Sequence, residues 1–197
     1  MKALIIVDIQ YDFLKDGSLE VPGGNEVIPV INELIPDYDL IVATQDWHPA
    51  HHKSFAAEHP GKNEFEIIDL NGLQQVLWPV HCVQGRHGSE FHEDLDIRPI
   101  EAIFRKGMDV EVDSYSGFFD NGRRRNTGLD GYLKDRNINE VHICGLAADF
   151  CVNYTANDAL DLGYKTVIIE SGTRPIDVEN WEKIKKDFKL KGGLLHK

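Results

Sequence analysis

Short apolar segments that end at polar residues recur along the chain, and they constrain its fold more than any other feature. Residues 3–7 form a continuous apolar run that ends at Asp8, and residues 40–44 form a second run that ends at Gln45-Asp46. Uninterrupted runs of this length are typical of parallel strands that are buried on both faces. Similar segments predict three more strands, at residues 101–104, 141–144 and 166–169.

Helical patterns separate these predicted strands. Val27, Ile31 and Leu34 recur at steps of three and four residues, which indicates a helix. Further helices are predicted for residues 129–134, 149–162 and 177–190. Strands that alternate with helices favour a mostly parallel sheet covered by helices on both sides. We therefore expect one α/β domain over residues 1–197, with three α/β/α layers.

Charge and composition exclude some partners and locations. The chain has 33 acidic residues against 21 lysines and arginines, a net charge of −12, whereas nucleic-acid binding needs a basic face. No stretch has the length and apolarity of a membrane span or of an export signal. The three cysteines are an odd set without CxxC spacing, which argues against disulfides. We expect a cytoplasmic protein that binds neither nucleic acid nor membrane, and homo-oligomer formation stays open.

Polar residues follow the predicted strands at several places. Asp8, Asp46, Lys106 and the segment 145–151 each come just after a strand. Because ligands of open α/β sheets bind at the carboxyl ends of the strands, we expect these groups to meet in one crevice. The long irregular stretch from residue 46 to residue 98 is typical of a functional loop.

Histidines are concentrated in that loop, where seven of the nine lie between residues 48 and 92. Asp46 and His48 can offer an oxygen and a nitrogen from one extended segment, and His81 could complete a set of three ligands that leaves room for water or substrate. His52 would be a fourth ligand or a partner of the ligands, with His51 as the alternative. Such a set predicts one divalent ion, with zinc first and iron or manganese as alternatives. A polar surface loop without metal is the competing interpretation.

Cys151 lies where the strand at 141–144 leads into a helix. Free amides and the helix dipole at such a position lower the pKa of a thiol and can hold an oxyanion, and Asp149 is a candidate cap. Alone, Cys151 would more often be a small buried hydrophobe. Asp8 and Lys106 at neighbouring strand ends favour a nucleophile, because the three would supply a base, a cation and a sulfur.

Six stretches of the chain resemble one known family. They are residues 7–13, 45–49, 78–82, 106–107, 113–118 and 145–152. Their order and separation are similar to those of the nicotinamidase family, within the isochorismatase-like cysteine hydrolases, over nearly the whole chain. The resemblance implies hydrolysis of nicotinamide to nicotinate and ammonia in NAD salvage, with pyrazinamide as a related substrate.

The resemblance also implies roles for particular residues. The catalytic triad falls on Asp8, Lys106 and Cys151. The metal ligands fall on Asp46, His48 and His81, with His52 at a variable fourth position. The oxyanion donors fall on the backbone amides of Ala147 and Cys151, and a cis peptide is implied between Leu146 and Ala147. Where the family often has threonine, this chain has Ala148.

Aromatic side chains would form a flat slot for the substrate ring, and the candidates are Phe13, Trp78 and Tyr115. For Tyr115 a place in the ordinary core is an equal interpretation. Three competing functions remain. They are a metallohydrolase in which Cys151 is structural, a metal-binding or redox-sensing module, and a related hydrolase acting on another small amide or an enol ether.

Overall fold

The computed structural model describes residues 1–197 and contains a six-stranded sheet in which every strand pair is parallel. The sheet strands are β1 (Lys2–Val7), β2 (Leu40–Asp46), β5 (Ala102–Lys106), β6 (Glu140–Leu146), β7 (Lys165–Arg174) and β8 (Leu194–His196). Their order is β5-β2-β1-β6-β7-β8. A separate antiparallel hairpin consists of β3 (Ile67–Leu70) and β4 (Leu73–Val76).

Four helices complete the three-layer α/β/α fold, which confirms the predicted fold class. They are α1 (Val27–Leu34), α2 (Leu129–Asp135), α3 (Asn153–Asp161) and α4 (Val178–Leu190). Asp177 directly precedes helix α4, and its side chain accepts a hydrogen bond from the amide of Asn180 at 3.0 Å, as N-cap residues do. No helix combines the length and apolarity that crossing a membrane requires.

The central strands form the core because they have almost no polar side chains. Residues 3–7 of β1 are fully buried, and β2 is buried along its whole length. Parallel strands in the middle of a three-layer fold have helices on both faces, which explains their unbroken apolar sequence. The predicted strands were therefore found where their apolar runs are, while the short edge strand β8 and the hairpin have weaker patterns and were not predicted.

One strand differs from its prediction in a way that affects the site. The third strand was expected to end at residue 104, with Lys106 beyond it, but β5 extends to Lys106. Lys106 pairs in register with Asp46, the last residue of β2. Sheet pairing therefore holds these two side chains side by side.

Gln10 joins the ends of two strands. Its side-chain amide donates hydrogen bonds to the carbonyl oxygens of Asp46 and Ser89 at 2.8 and 2.9 Å, and its oxygen accepts from the amide of Asp46 at 2.8 Å. Gln10 is fully buried, so water does not compete for these bonds. The turn after β1, which contains Asp8, is thereby fastened to the carboxyl end of β2.

Candidate active site

Lys106 lies at the centre of a buried polar cluster. Its Nζ is 2.8 Å from Oδ2 of Asp8, 3.2 Å from Oδ1 of Asp46 and 3.4 Å from Sγ of Cys151. It also donates to the carbonyl oxygen of Ser114 at 3.1 Å. Burial alone would lower the pKa of Lys106, but the carboxylates of Asp46 and Asp8 raise it well above its ordinary value. Lys106 is therefore a fixed cation between two carboxylates and a sulfur.

Asp8 is the fully buried carboxyl group that follows β1. Its Oδ1 accepts a hydrogen bond of 2.6 Å from the hydroxyl of Thr44, and its Oδ2 faces Lys106. Burial raises the pKa of Asp8, and the attraction of Lys106 offsets this only in part. A carboxyl group with a raised pKa accepts and returns protons more readily near neutral pH than an ordinary aspartate does.

Cys151 lies in a π-helical turn, Ala148–Val152, which leads directly into α3. The helical segment thus begins where it was expected, but its first turn is wider than an α-helix. Burial raises the pKa of the Cys151 thiol well above its ordinary value, against the opposing effect of Lys106. The expectation of a lowered pKa was therefore wrong, because desolvation of the thiolate exceeds the attraction of the cation. The resting thiol is protonated and needs a base.

Asp149 does not cap the helix that contains Cys151. Its two carboxylate oxygens accept hydrogen bonds from the amides of Ile176 and Asp177, at 2.9 and 2.8 Å. The side chain turns toward the loop between β7 and α4 instead, where two free amides lie close together. Asp149 thereby fixes that loop against the turn of Cys151.

Three further groups meet beside Lys106 and could hold an ion. Nε2 of His48 and Nε2 of His81 lie 3.1 and 3.4 Å from Oδ2 of Asp46. The Nδ1 atoms of these rings donate to the carbonyl oxygens of Gly107 and Pro79 at 2.9 and 2.8 Å, so in the neutral rings both Nε2 atoms carry lone pairs. Two lone pairs that face a carboxylate oxygen repel it unless a cation lies between them. The donor set therefore suits a divalent metal ion.

Asp46 is well prepared to remain charged at that position. Burial alone would raise its pKa, yet a protonated His48 and Lys106 hold the pKa of Asp46 well below its ordinary value, and Asp46 in turn raises the pKa of His48 against the effect of burial. Asp8 and Asp46, both in contact with Lys106, therefore have pKa values shifted in opposite directions. Such a divergence separates a carboxyl group that exchanges protons from one that stays ionised.

Gly107 leaves the space that His48 occupies. It follows β5 with a φ of 68°, and a side chain there would collide with the imidazole of His48 and approach Oδ1 of Asp46 to 2.9 Å. Its carbonyl oxygen also accepts the hydrogen bond that orients the His48 ring. Glycine is thus required for both backbone conformation and space.

The structure distinguishes His52 from its neighbour His51. The His51 side chain is 85% exposed and pairs with Glu58, whereas His52 is fully buried with its ring 4.4 Å from that of His48. Burial, reinforced by His48, lowers the pKa of His52 to about 4. Of the two candidates, only His52 lies beside the possible ion site.

A small cavity opens onto the sulfur and the ion site. Phe13, Trp78 and Tyr115 all lie in its wall, and the indole N–H of Trp78 donates to the hydroxyl of Tyr115 at 3.1 Å. Ala147 also lines the cavity, and the peptide bond between Leu146 and Ala147 is cis, as the resemblance implies. The eleven lining residues are mostly apolar, which suits a small, flat organic ligand.

Several residues of this cavity were not singled out from the sequence. Leu19, Phe150 and Ile176 add apolar wall, and Asp113 adds a buried carboxylate. Phe150 directly precedes Cys151 in the same turn, and Asp113 begins the stretch 113–118 that carries part of the resemblance, so both positions offered a usable signal. Leu19 and Ile176 come from loops whose sequences show no periodicity.

Comparisons with known proteins identify the family of the chain. The Isochorismatase domain family model matches residues 2–195. A nicotinamidase of Escherichia coli strain K12 is 46% identical over 183 residues, which are 90% of this chain and 85% of that protein. The solved structure of an Acinetobacter baumanii nicotinamidase and pyrazinamidase is 45% identical, with a TM-score of 0.97, and the match covers 100% of this chain and 95% of that one.

A third relative was solved with a metal. The pyrazinamidase of Pyrococcus horikoshii in complex with zinc is 35% identical, with a TM-score of 0.81, and the match covers 98% of this chain and 97% of that one. The family model and the first relative each span about nine tenths of the chain or more. This chain therefore belongs to the isochorismatase family.

Proposed function

We propose that residues 1–197 form one hydrolase domain that converts nicotinamide to nicotinate and ammonia through a thioester on Cys151. One observation carries this proposal: Nζ of Lys106 lies 2.8 Å from Asp8 and 3.4 Å from the Cys151 sulfur, beside a cavity for a small ring. A base and a thiol that both contact one cation are the parts of an activated nucleophile. Pyrazinamide, a related aromatic amide, is expected to be a second substrate.

The substrate ring would lie between Phe13, Trp78 and Tyr115, with its carboxamide toward Cys151. A flat, uncharged ring offers few polar groups, so its orientation depends on the walls and on the ring nitrogen. Asp46, His48 and His81 would hold one divalent ion, zinc or alternatively iron or manganese. When bound, that ion would supply a Lewis acid that binds the ring nitrogen and polarises water.

In the first half of the reaction, Asp8 takes the proton of the Cys151 thiol. Lys106 stabilises the thiolate, which attacks the carboxamide carbon. The backbone amides of Ala147 and Cys151 hold the negative oxygen of the tetrahedral species. Asp8 then returns the proton to the departing nitrogen, so that ammonia leaves and a nicotinoyl thioester remains on Cys151.

The opposite pKa shifts of Asp8 and Asp46 support different roles for these two carboxylates. Asp8, whose pKa is raised, exchanges the proton, while Asp46, whose pKa is held low, stays an anionic ligand. Water then hydrolyses the thioester and regenerates the thiol. The reaction would serve NAD salvage in the cytoplasm, where the three free cysteines stay reduced.

Ammonia release from nicotinamide by the purified protein tests the proposal. We expect turnover that stops when a chelator removes the metal and returns when one equivalent of zinc, iron or manganese is added back. Benzamide, which has the same carboxamide but no ring nitrogen, should react far more slowly. A metal-loaded protein that releases no ammonia from nicotinamide would refute the function, and full activity after complete metal removal would refute the role of the ion.

A further inference from the structure

Asp113 is a buried carboxylate in the cavity wall that the mechanism so far leaves unused. It is 3% exposed, and it lines the same cavity as Cys151, Asp46 and His81. Its Oδ1 accepts a hydrogen bond from the backbone amide of Ser114 at 2.7 Å. Its Oδ2 accepts a hydrogen bond from the side-chain amide of Gln75 at 3.0 Å. A carboxylate can accept about four hydrogen bonds, so two acceptor sites remain on a rigidly held group.

His52 presents the complementary donor. The amide of Ser54 donates to Nδ1 of His52 at 3.1 Å, and the Ser54 hydroxyl, 2.7 Å from the same nitrogen, can donate to it as well. Nδ1 is therefore an acceptor, and the neutral ring has its hydrogen on Nε2. Nε2 is buried and makes no hydrogen bond of good geometry within the protein, although the backbone of Asp109 is near enough to raise the pKa of His52, against the larger effect of burial. A buried donor without an acceptor is costly and rare, which points to a bound molecule that accepts from it. In this tautomer Nε2 has no lone pair for a metal.

The His52 ring and the Asp113 carboxylate lie close enough for one water molecule to bridge them. Ring nitrogens of His48 and His52 and a carboxylate oxygen of Asp113 all lie within 4.8 Å of one another. Hydrogen bonds of about 2.8 Å on either side let one water join atoms up to about 5.6 Å apart. Because His48 also belongs to the possible ion site, such a water would stand beside that ion.

We infer that His52 and Asp113 bind the water that hydrolyses the thioester, an inference that rests on the proposed function. His52 donates to the water oxygen and Asp113 accepts one of its hydrogens, so that a lone pair faces the cavity that contains Cys151. The water oxygen forms a bond to the acyl carbon, and the carbon–sulfur bond breaks. One water proton ends on the Cys151 sulfur, and the other leaves as the product acid ionises to nicotinate.

This assignment makes Asp113 a positioning residue for the second half of the reaction alone. The variant D113N keeps an oxygen for the Ser114 amide but loses a negative acceptor for water. We expect kcat to fall about 10–100-fold, as is typical when partners around a metal site are removed. Because kcat/KM reports the steps up to ammonia release, it should stay unchanged, and KM should fall together with kcat.

Intact-protein mass spectrometry after a rapid acid quench gives a readout independent of rate. During turnover, D113N should accumulate the enzyme with one nicotinoyl group, while its bound metal remains stoichiometric by elemental analysis. The variant H52F should behave in the same way. H52Q, whose amide can still donate from the position of Nε2, should recover much of the activity. H52F supplies the test if D113N does not fold.

A matched control is available in the same segment. Asp120 is also a buried aspartate, and it accepts backbone hydrogen bonds from Gly122, Arg124 and Arg125, but it lies outside the cavity of Cys151. D120N should show no accumulation of the thioester.

Two outcomes would overturn the inference. One is loss of metal from D113N or H52F, because these residues would then be ligands. The other is an equal fall of kcat and kcat/KM without any thioester, because the defect would then precede ammonia release. Wild-type protein that is inactive on nicotinamide would count against the proposed function instead.

Discussion

The two halves of the site are built differently. Lys106 and Asp46 are terminal residues of paired strands and Asp8 directly follows another, so the sheet itself brings the polar cluster of the nucleophile together. His81, His52 and Asp113 come from loops and meet only because those loops fold over the sheet. The first half is therefore set by strand register, and the second depends on glycines and buried hydrogen bonds that position each loop.

The largest expected effect is that of C151A, which tests whether Cys151 or a water molecule attacks the amide. C151A should lower ammonia release by at least about 1,000-fold, because no other group can form the thioester, while metal content stays the same. C144A is the matched control, since Cys144 is equally buried but lies within β6. Substantial activity in C151A would favour a metallohydrolase in which water attacks the amide directly.

A smaller effect is expected from the loop that orients His48. G107A should weaken metal affinity about 10–100-fold, because the added methyl group collides with the imidazole of His48. G128A is the control for backbone strain without a collision, since Gly128 also has a positive φ, of 93°, but no atom lies within 4 Å of an added side chain. Metal titrations of the apo-proteins compare the two. Equal affinities would show that the loop tolerates displacement of His48.

The smallest effect concerns the pKa of Asp8. The Thr44 hydroxyl lowers this pKa, so T44V should raise it further, whereas T44S keeps the hydrogen bond. Asp8 acts as a base only when ionised, so activity is present above its pKa and lost as the pH falls through it. The acidic limb of the kcat/KM profile should therefore move to higher pH in T44V and not in T44S. If the acidic limb of the profile does not move in T44V, a group other than Asp8 is responsible for it.

Much of the nucleophile half could be predicted from the chain alone. Apolar runs reveal buried parallel strands, and the residues that end them must lie at one edge of the sheet, which is why Asp8, Asp46 and Lys106 could be grouped in advance. The direction of the Cys151 pKa shift could not be predicted. It depends on the balance between desolvation and one cation, and that balance follows from distances and burial.

The loop half shows the opposite case. His51 and His52 were equal candidates for the fourth position beside the ion, and only the folded loop exposes one and buries the other. Asp113 lies 61 residues after His52, and no local pattern connects them.

The amino-acid order by itself determined the parallel sheet, the strand ends that carry the polar cluster and the resemblance to a hydrolase family, because these depend on local periodicity and on motif order. The tertiary structure alone decided which histidine is buried, where Asp149 points and that Asp113 faces the cavity, because contacts between distant loops depend on how they pack.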